Sequence, residues 1–312
     1  MSRAELAWMQ QNGLINPSED SHLATFVADA QPPDRSSAAV AQLLVDRGLL
    51  PIPGKASEHF LGLQLMAMPH AVLSYGLHQP GYPSQHINLY QVDNYAAMGI
   101  IDADNDQISI DVPRSLPTWV HYLFNLLGGH DVDEQQTKTV IQRRIADTLR
   151  VFWARLGAAP DAVITQDQVN DLVGRSMGDK AAIGSKLIVR MLVKSGYVQE
   201  EADGSLRIAD DYRDALAAWI SNTWIRIDYA PTALAARHVE ARTFQLCGDR
   251  NPRFLYQEVR YHDLSEAGDA PHVDEVTGKE GLKKVLDDNP MLVLQPVGGE
   301  QLTNMLIETM LQ

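Results

Sequence analysis

A single cysteine, Cys247, excludes any intrachain disulfide and any zinc site built from several thiolates. It fits a reducing cytoplasm, and with no reactive motif around it an inert buried thiol is expected. Basic residues are also scarce. The 26 Lys and Arg stand against 40 Asp and Glu, a net charge of −14, which argues against wholesale binding of polyanions. Long apolar runs are absent too. The nearest approach, Phe60 to Leu77, lies in a stretch from His59 to Val92 that lacks every charged residue except histidine. Gln64, Pro69 and His70 interrupt it and no basic flank orients it, so a buried core segment is expected rather than a membrane span. Met1-Ser2-Arg3-Ala4-Glu5 leads into no apolar run and so opens no signal peptide.

Catalytic signatures are missing as well. There is no HExxH, no G-x-S-x-G, and Gly298-Gly299-Glu300 lacks the basic residue of a phosphate loop. His70, His78 and His86 do not have two-ligand metal spacing. His130-Asp131 and His272-Val273-Asp274 pair an imidazole with a carboxylate, but no nucleophile accompanies either. Asp102, Asp104 and Asp106 imitate the opening of a calcium loop. Gln107 and Pro113 then occupy the positions that need Gly and Glu, so a polar turn is expected. No catalytic residue, metal or cofactor is expected, and the chain reads as a non-enzyme.

What is present is globular in composition. The 312 residues are 45 % hydrophobic and 21 % charged, enough for two or three domains with real cores. A short helix is expected over 3–12 and another after Ser36-Ser37, through Val40, Leu43 and Leu44. Met98–Ile101 and Gln107–Val112 read as a hairpin, Trp119–Leu127 as an apolar helix, and Arg253–Tyr261 and Met291–Leu294 as strands. No internal repeat is evident in the sequence.

One window departs from the overall charge. Residues 137–194 hold 10 basic and 5 acidic side chains. From Lys138 to Leu156, Ile141, Ile145, Leu149 and Phe152 recur at helical spacing. Ala162-Val163-Ile164 follows as a very short strand. Thr165 and Gln168 form a capping box for a second helix, and a third runs over Lys180–Lys194. Tyr197–Gln199 and Leu206–Ile208 then flank an Asp203-Gly204 turn. This order, and above all Leu192-Val193-Lys194-Ser195-Gly196-Tyr197-Val198 leading into that turn, resembles the winged helix-turn-helix superfamily over about 70 residues.

The resemblance implies a third helix that enters duplex DNA and a wing that touches phosphate. Lys186, Arg190 and Lys194 stand at i, i+4 and i+8, with Lys180 before them and Arg207 in the wing, as the implied nucleic-acid contacts. Glu200, Glu201 and Asp203 make the wing acidic, which instead fits a protein partner, as in the kite-type winged-helix subunits of chromosome-organising complexes. Met305 and Met310 on the last helix offer a second partner or self-association face.

The expected fold is therefore α+β and predominantly helical. A winged-helix domain over 137–215 lies between a mixed α/β domain over 1–130 and an α+β region over 216–312. The expected function is a non-enzymatic, cytoplasmic winged-helix subunit of a larger assembly that binds duplex DNA. The alternative is a protein–protein adaptor without nucleic-acid contact, and an enzyme of unknown class is the remaining one.

Overall fold

The computed structural model describes residues 1–79, 81–126, 138–156, 162–177, 181–221, 223–235, 240–248, 254–259 and 290–311. Three short helices open the chain, α1 (Arg3–Gln11), α2 (His22–Val27) and α3 (Ser37–Asp46), followed by α4 (Glu58–Ala67). Each begins where a serine hydroxyl accepts a free backbone N–H: Ser2, Ser21, Ser36 and Ser57. At Ser2 the cap is reciprocal, because the Glu5 carboxylate accepts from the Ser2 N–H at 2.8 Å and also meets Arg47 at 2.6 Å.

Among the described residues the frame is a ten-stranded antiparallel sheet. Its first half is a meander of β1 (Ala71–His78), β2 (Gln85–Val92), β3 (Tyr95–Asp102) and β4 (Gln107–Ile110), with the short β5 (Arg114–Ser115) also on β3. Helix α5 (Leu116–Leu126) closes that half. The second half begins with β6 (Thr139–Gln142) at the far edge of the sheet and a helical excursion, α6 (Arg143–Leu156), α7 (Gln166–Met177) and α8 (Ala181–Lys194). A separate hairpin of β7 (Val198–Glu200) and β8 (Leu206–Ile208) leads to α9 (Arg213–Ile220). A second meander follows, β9 (Trp224–Pro231), β10 (Arg242–Cys247), β11 (Phe254–Val259) and β12 (Met291–Pro296), closed by α10 (Gly299–Leu311).

The halves join through one long ladder. All eight residues of β1 pair with all eight of β9, from Ala71 opposite Pro231 to His78 opposite Trp224. Among the described residues the order of elements is similar on both sides of that seam, a helix, three residues, a meander and a closing helix, apart from the two-residue β5 before α5. α4 ends three residues before β1 and α9 three residues before β9. The two seam strands do not repeat in sequence, since β1 reads AVLSYGLH and β9 WIRIDYAP.

Strand alternation then divides the core. Leu73, Tyr75, Ile225, Ile227 and Tyr229 face one way and are covered by α5 and α10. Trp119 on α5 donates its indole N–H to the Ala96 carbonyl at 2.7 Å. On the other face there are two separate cores. One is built from α1–α4 on Val72, Tyr90 and Ile108, the other from α6 and α9 on Ile141, Cys247, Phe254 and Leu292.

The expected predominantly helical, winged-helix fold is corrected by this sheet. Elements follow the anticipated order between 143 and 208: Ile164 bridges Leu206, Gln168 N–H donates to Thr165 Oγ1 at 3.3 Å, and Gln168 Oε1 accepts from Thr165 N–H at 2.9 Å. They are not a winged helix-turn-helix protein, however. Their core is continuous with the sheet through Ile141, Leu292 and Leu294. The helix expected from Lys138 also starts late. Its first turn is β6, where Ile141 pairs with Leu292, and α6 begins only at Arg143. His130-Asp131 and His272-Val273-Asp274 lie outside the described residues, as does Lys180. No helix among the described residues is long and apolar enough to cross a membrane.

Candidate partner-binding surfaces

Helix α4, EHFLGLQLMA, is apolar on more than one side. Leu63, Met66 and Ala67 form its buried face, lying over Tyr90 and Ile108. Gly62 lets that face come close to the end of β4: a Cβ there would lie 2.7 Å from the Asp111 carbonyl oxygen. The Ser57 hydroxyl fixes the start of the helix by accepting from Phe60 N–H at 3.0 Å and donating to the Gly48 carbonyl at 2.6 Å.

The outer face has no such cover among the described residues. Glu58, Leu61, Leu65 and Met68 follow one another at steps of three and four, and so share one stripe. That stripe is one wall of an open cavity of about 980 Å³. The loop after α1 supplies Leu14 and Ile15, the β2–β3 turn supplies Val92, Asp93 and Tyr95, and the segment after β9 supplies Leu234. Leu61 is 45 % exposed, Met68 49 %, Tyr95 59 % and Leu234 37 %. Completing the burial of such half-exposed side chains is worth about 1 kcal/mol apiece.

The walls of this groove are held firmly. Thr232 Oγ1 donates to the Pro69 carbonyl at 2.5 Å and accepts from Leu234 N–H at 3.2 Å, and Ala233 N–H donates to Asp20 at 2.9 Å. Asp93 sits at the tight turn with φ 49°. Its carboxylate lies 3.4 Å from His70 Nδ1, and with Glu58 it gives the rim a negative character. Among the described residues, no Ser, Thr, Cys or Lys lines the groove. The groove was not legible in the sequence, where Leu61 and Met68 look like core. The one signal was an uncharged segment with apolar residues on more than one side of a helix, which normally means burial on more than one side.

The residues singled out in the sequence fall in three places. Lys186, Arg190 and Lys194 are all exposed on the outer face of α8, beside Leu187 at 61 % and Met191 at 39 % exposure. Glu200, Glu201 and Asp203 are exposed on the β7–β8 hairpin. Arg207 is committed there: its guanidinium pairs with Glu201 and, at 2.7 Å, with Asp210, and these hydrogen bonds raise its pKa further. Met310 is buried under the sheet and Met305 half-buried against the same core, so the described α10 turns both inward.

The expectation of duplex DNA binding is corrected at this point. The hairpin's one cation is already neutralised by two carboxylates of the chain, and the rest of the hairpin is acidic. The basic window is partly internal as well. Arg150 lies 4.4 Å from the Trp224 ring and 5.4 Å from that of Trp219, Arg143 lies 4.8 Å from Trp219, and Arg143 also pairs with Asp147 and Glu258 at 2.9 Å each. Burial lowers the pKa of Arg150. These arginines hold α6 onto the sheet and do not form a surface for phosphate.

Cys247 and Asp102 have structural partners. Cys247 is fully buried, donates weakly to the Phe254 carbonyl at 3.6 Å, and has its pKa raised by burial. Asp102 accepts from Asn105 N–H at 3.1 Å and from its side-chain amide at 2.8 Å. Among the described residues no three His, Cys, Asp or Glu side chains converge to hold a metal ion.

Neither a protein-family model nor a curated protein matches the chain. Among solved structures, the Mycobacterium tuberculosis type VII secretion system chaperone EspG5, in complex with the PE25-PPE41 dimer, is similar at a TM-score of 0.46 and 10 % identity. The match covers 99 % of this chain and 94 % of that one. A likeness at this level assigns no function.

Proposed function

We propose that the chain is a non-enzymatic adaptor that binds other proteins in the cytoplasm, and that the α4 groove takes an apolar partner segment flanked by basic side chains. The observation that carries this is the helix with two apolar faces and one cover. Leu63, Met66 and Ala67 are satisfied by the core, while Leu61, Leu65 and Met68 line an open groove. An apolar surface with a polar rim is the ordinary mark of a protein-interaction site. Glu58 and Asp93 on that rim favour a partner with lysine or arginine beside its apolar anchors. A non-catalytic role is supported by the groove's chemistry. The Thr232 hydroxyl donates to the Pro69 carbonyl, and the His70 imidazole lies beside the exposed Asp93 carboxylate.

The test is a photo-crosslinking amino acid placed at Met68, with a second placed at exposed Val163 as a control. In extract of the native host, Met68 should crosslink one defined protein and Val163 should not. The additional change Leu61→Lys should abolish that crosslink without altering thermal stability, because exposed substitutions usually stay within about 0.5 kcal/mol. A crosslink equal at both positions, or one indifferent to Leu61→Lys, refutes the groove as a docking site.

A further inference from the structure

A second surface, remote in sequence from the groove, has the opposite charge. Helix α8, AAIGSKLIVRMLVK, contains no acidic residue. Val189 and Leu192 are buried in the core, and Ile188 and Val193 pack against it. The outward face is then Lys186, Arg190 and Lys194, each about 40° further round the helix than the last, with Leu187 and Met191 alongside. All three cations are exposed, and none has an ion pair among the described residues. This is unusual in a chain with 40 acidic residues. Like charges at i and i+4 repel, so the stripe costs the isolated helix something that an anionic neighbour would return.

We propose that this face of α8 docks an acidic amphipathic helix of a partner protein, whose apolar stripe covers Leu187 and Met191 and whose carboxylates meet Lys186, Arg190 and Lys194. Charge complementarity selects the acidic partner. Leu187 at 61 % and Met191 at 39 % exposure select a protein helix, since they demand an apolar surface in register with the charges. An anionic bilayer is disfavoured, because two apolar side chains insert little and the whole chain carries −14. The surface is independent of the α4 groove, and the two differ in the partner they select.

The probe is a fluorescein-labelled, stapled helical peptide of about 15 residues with leucines at i, i+4 and i+7 and glutamates beside them. Its binding to the full chain is read by anisotropy at low and moderate salt. The acidic peptide should bind saturably and weaken as salt rises, and its lysine counterpart should not bind. Lys186→Glu with Arg190→Glu should weaken it at least about tenfold. Arg190→Lys, which keeps the charge, should bind like the parent and so separates a docking effect from misfolding. Leu187→Ser with Met191→Ser should weaken it at every salt concentration. Leu61→Lys with Met68→Lys should leave it unchanged, which keeps failure here distinct from failure at the groove. No saturable binding, equal binding after charge reversal, or indifference to the Leu187 and Met191 changes overturns the proposal. Displacement of the peptide by phosphatidylserine vesicles, but not by phosphatidylcholine ones, does the same.

Discussion

Gly62→Ala sets two effects of opposite sign against each other on one carbon. In a helix interior, alanine in place of glycine is worth about 1 kcal/mol of added stability, since less backbone freedom is lost on folding. The new methyl, however, would lie 2.7 Å from the Asp111 carbonyl oxygen and 3.0 Å from Ile110 Cγ2. An oxygen of the main chain cannot swing aside as a side-chain tip does. Asp111 is pinned further by its N–H, which donates to the Met98 carbonyl at 2.9 Å. Relief therefore requires α4 to rise, loosening Leu63 and Met66, both at most 1 % exposed, from the core beneath. Overpacking of that kind costs about 1–3 kcal/mol. The expected sum is a net loss of about 1 kcal/mol where helix propensity alone gives a gain of about the same size. Urea unfolding followed by the fluorescence of Trp8, which shares this core, should show a lower midpoint at unchanged slope. A midpoint higher than the parent's would mean that α4 does not sit this close to β4, and the groove built on its outer face would go with it.

Two further outcomes follow from local geometry. Thr165→Ala removes the hydroxyl that accepts from Gln168 N–H at the start of α7 and should cost about 1 kcal/mol in a denaturation midpoint, so an unchanged midpoint would refute the cap. His22 lies 2.9 Å from the Tyr90 hydroxyl, and burial lowers its pKa below 6.5, so the unfolded chain binds the proton more readily. Its neutral form therefore favours folding above about pH 6.5, and that contribution is lost as pH falls toward the folded value. His22→Gln should flatten the fall in melting temperature between about pH 7.5 and 5.5, and an undiminished slope in that variant would refute the assignment.

Local signals in the sequence were trustworthy where the chain itself closes the interaction. Ser36 at the start of α3, the β3–β4 hairpin, the Thr165–Gln168 box and the Asp203-Gly204 turn each involve partners a few residues apart. The sheet is made of partners that are not. From His59 to Val92 the residues are uncharged and β1 shows no clear alternation, because it is buried on both faces for part of its length: Val72 and Leu73 are neighbours and both are buried. Ile141 and Ile145 stand four apart and satisfy a helix, yet Ile141 belongs to β6 because β12 lies beside it. The winged-helix resemblance rested on the order of elements over 143–208, and order alone does not reveal the sheet to which those elements are fused. The α4 groove was hidden for a related reason. Leu61 and Leu63 are the same residue type two positions apart, and only the tertiary structure determines which one is covered.

The seam between β1 and β9 has a kinetic consequence. Its nearest pair, His78 with Trp224, closes over the whole of residues 79–223. The hairpins of the two meanders join strands that are consecutive in the chain, whereas this ladder, like that of β6 with β12, brings together strands separated by nearly half the chain. Contacts of such separation form slowly, because the intervening chain must be confined before any bond rewards it. Each half-sheet therefore matures with an eight-residue margin of unsatisfied amides and carbonyls exposed. During that interval a margin can pair with the equivalent margin of another copy. The rate of central closure, against the concentration of unfinished chains, then decides between a monomer and an exchanged dimer.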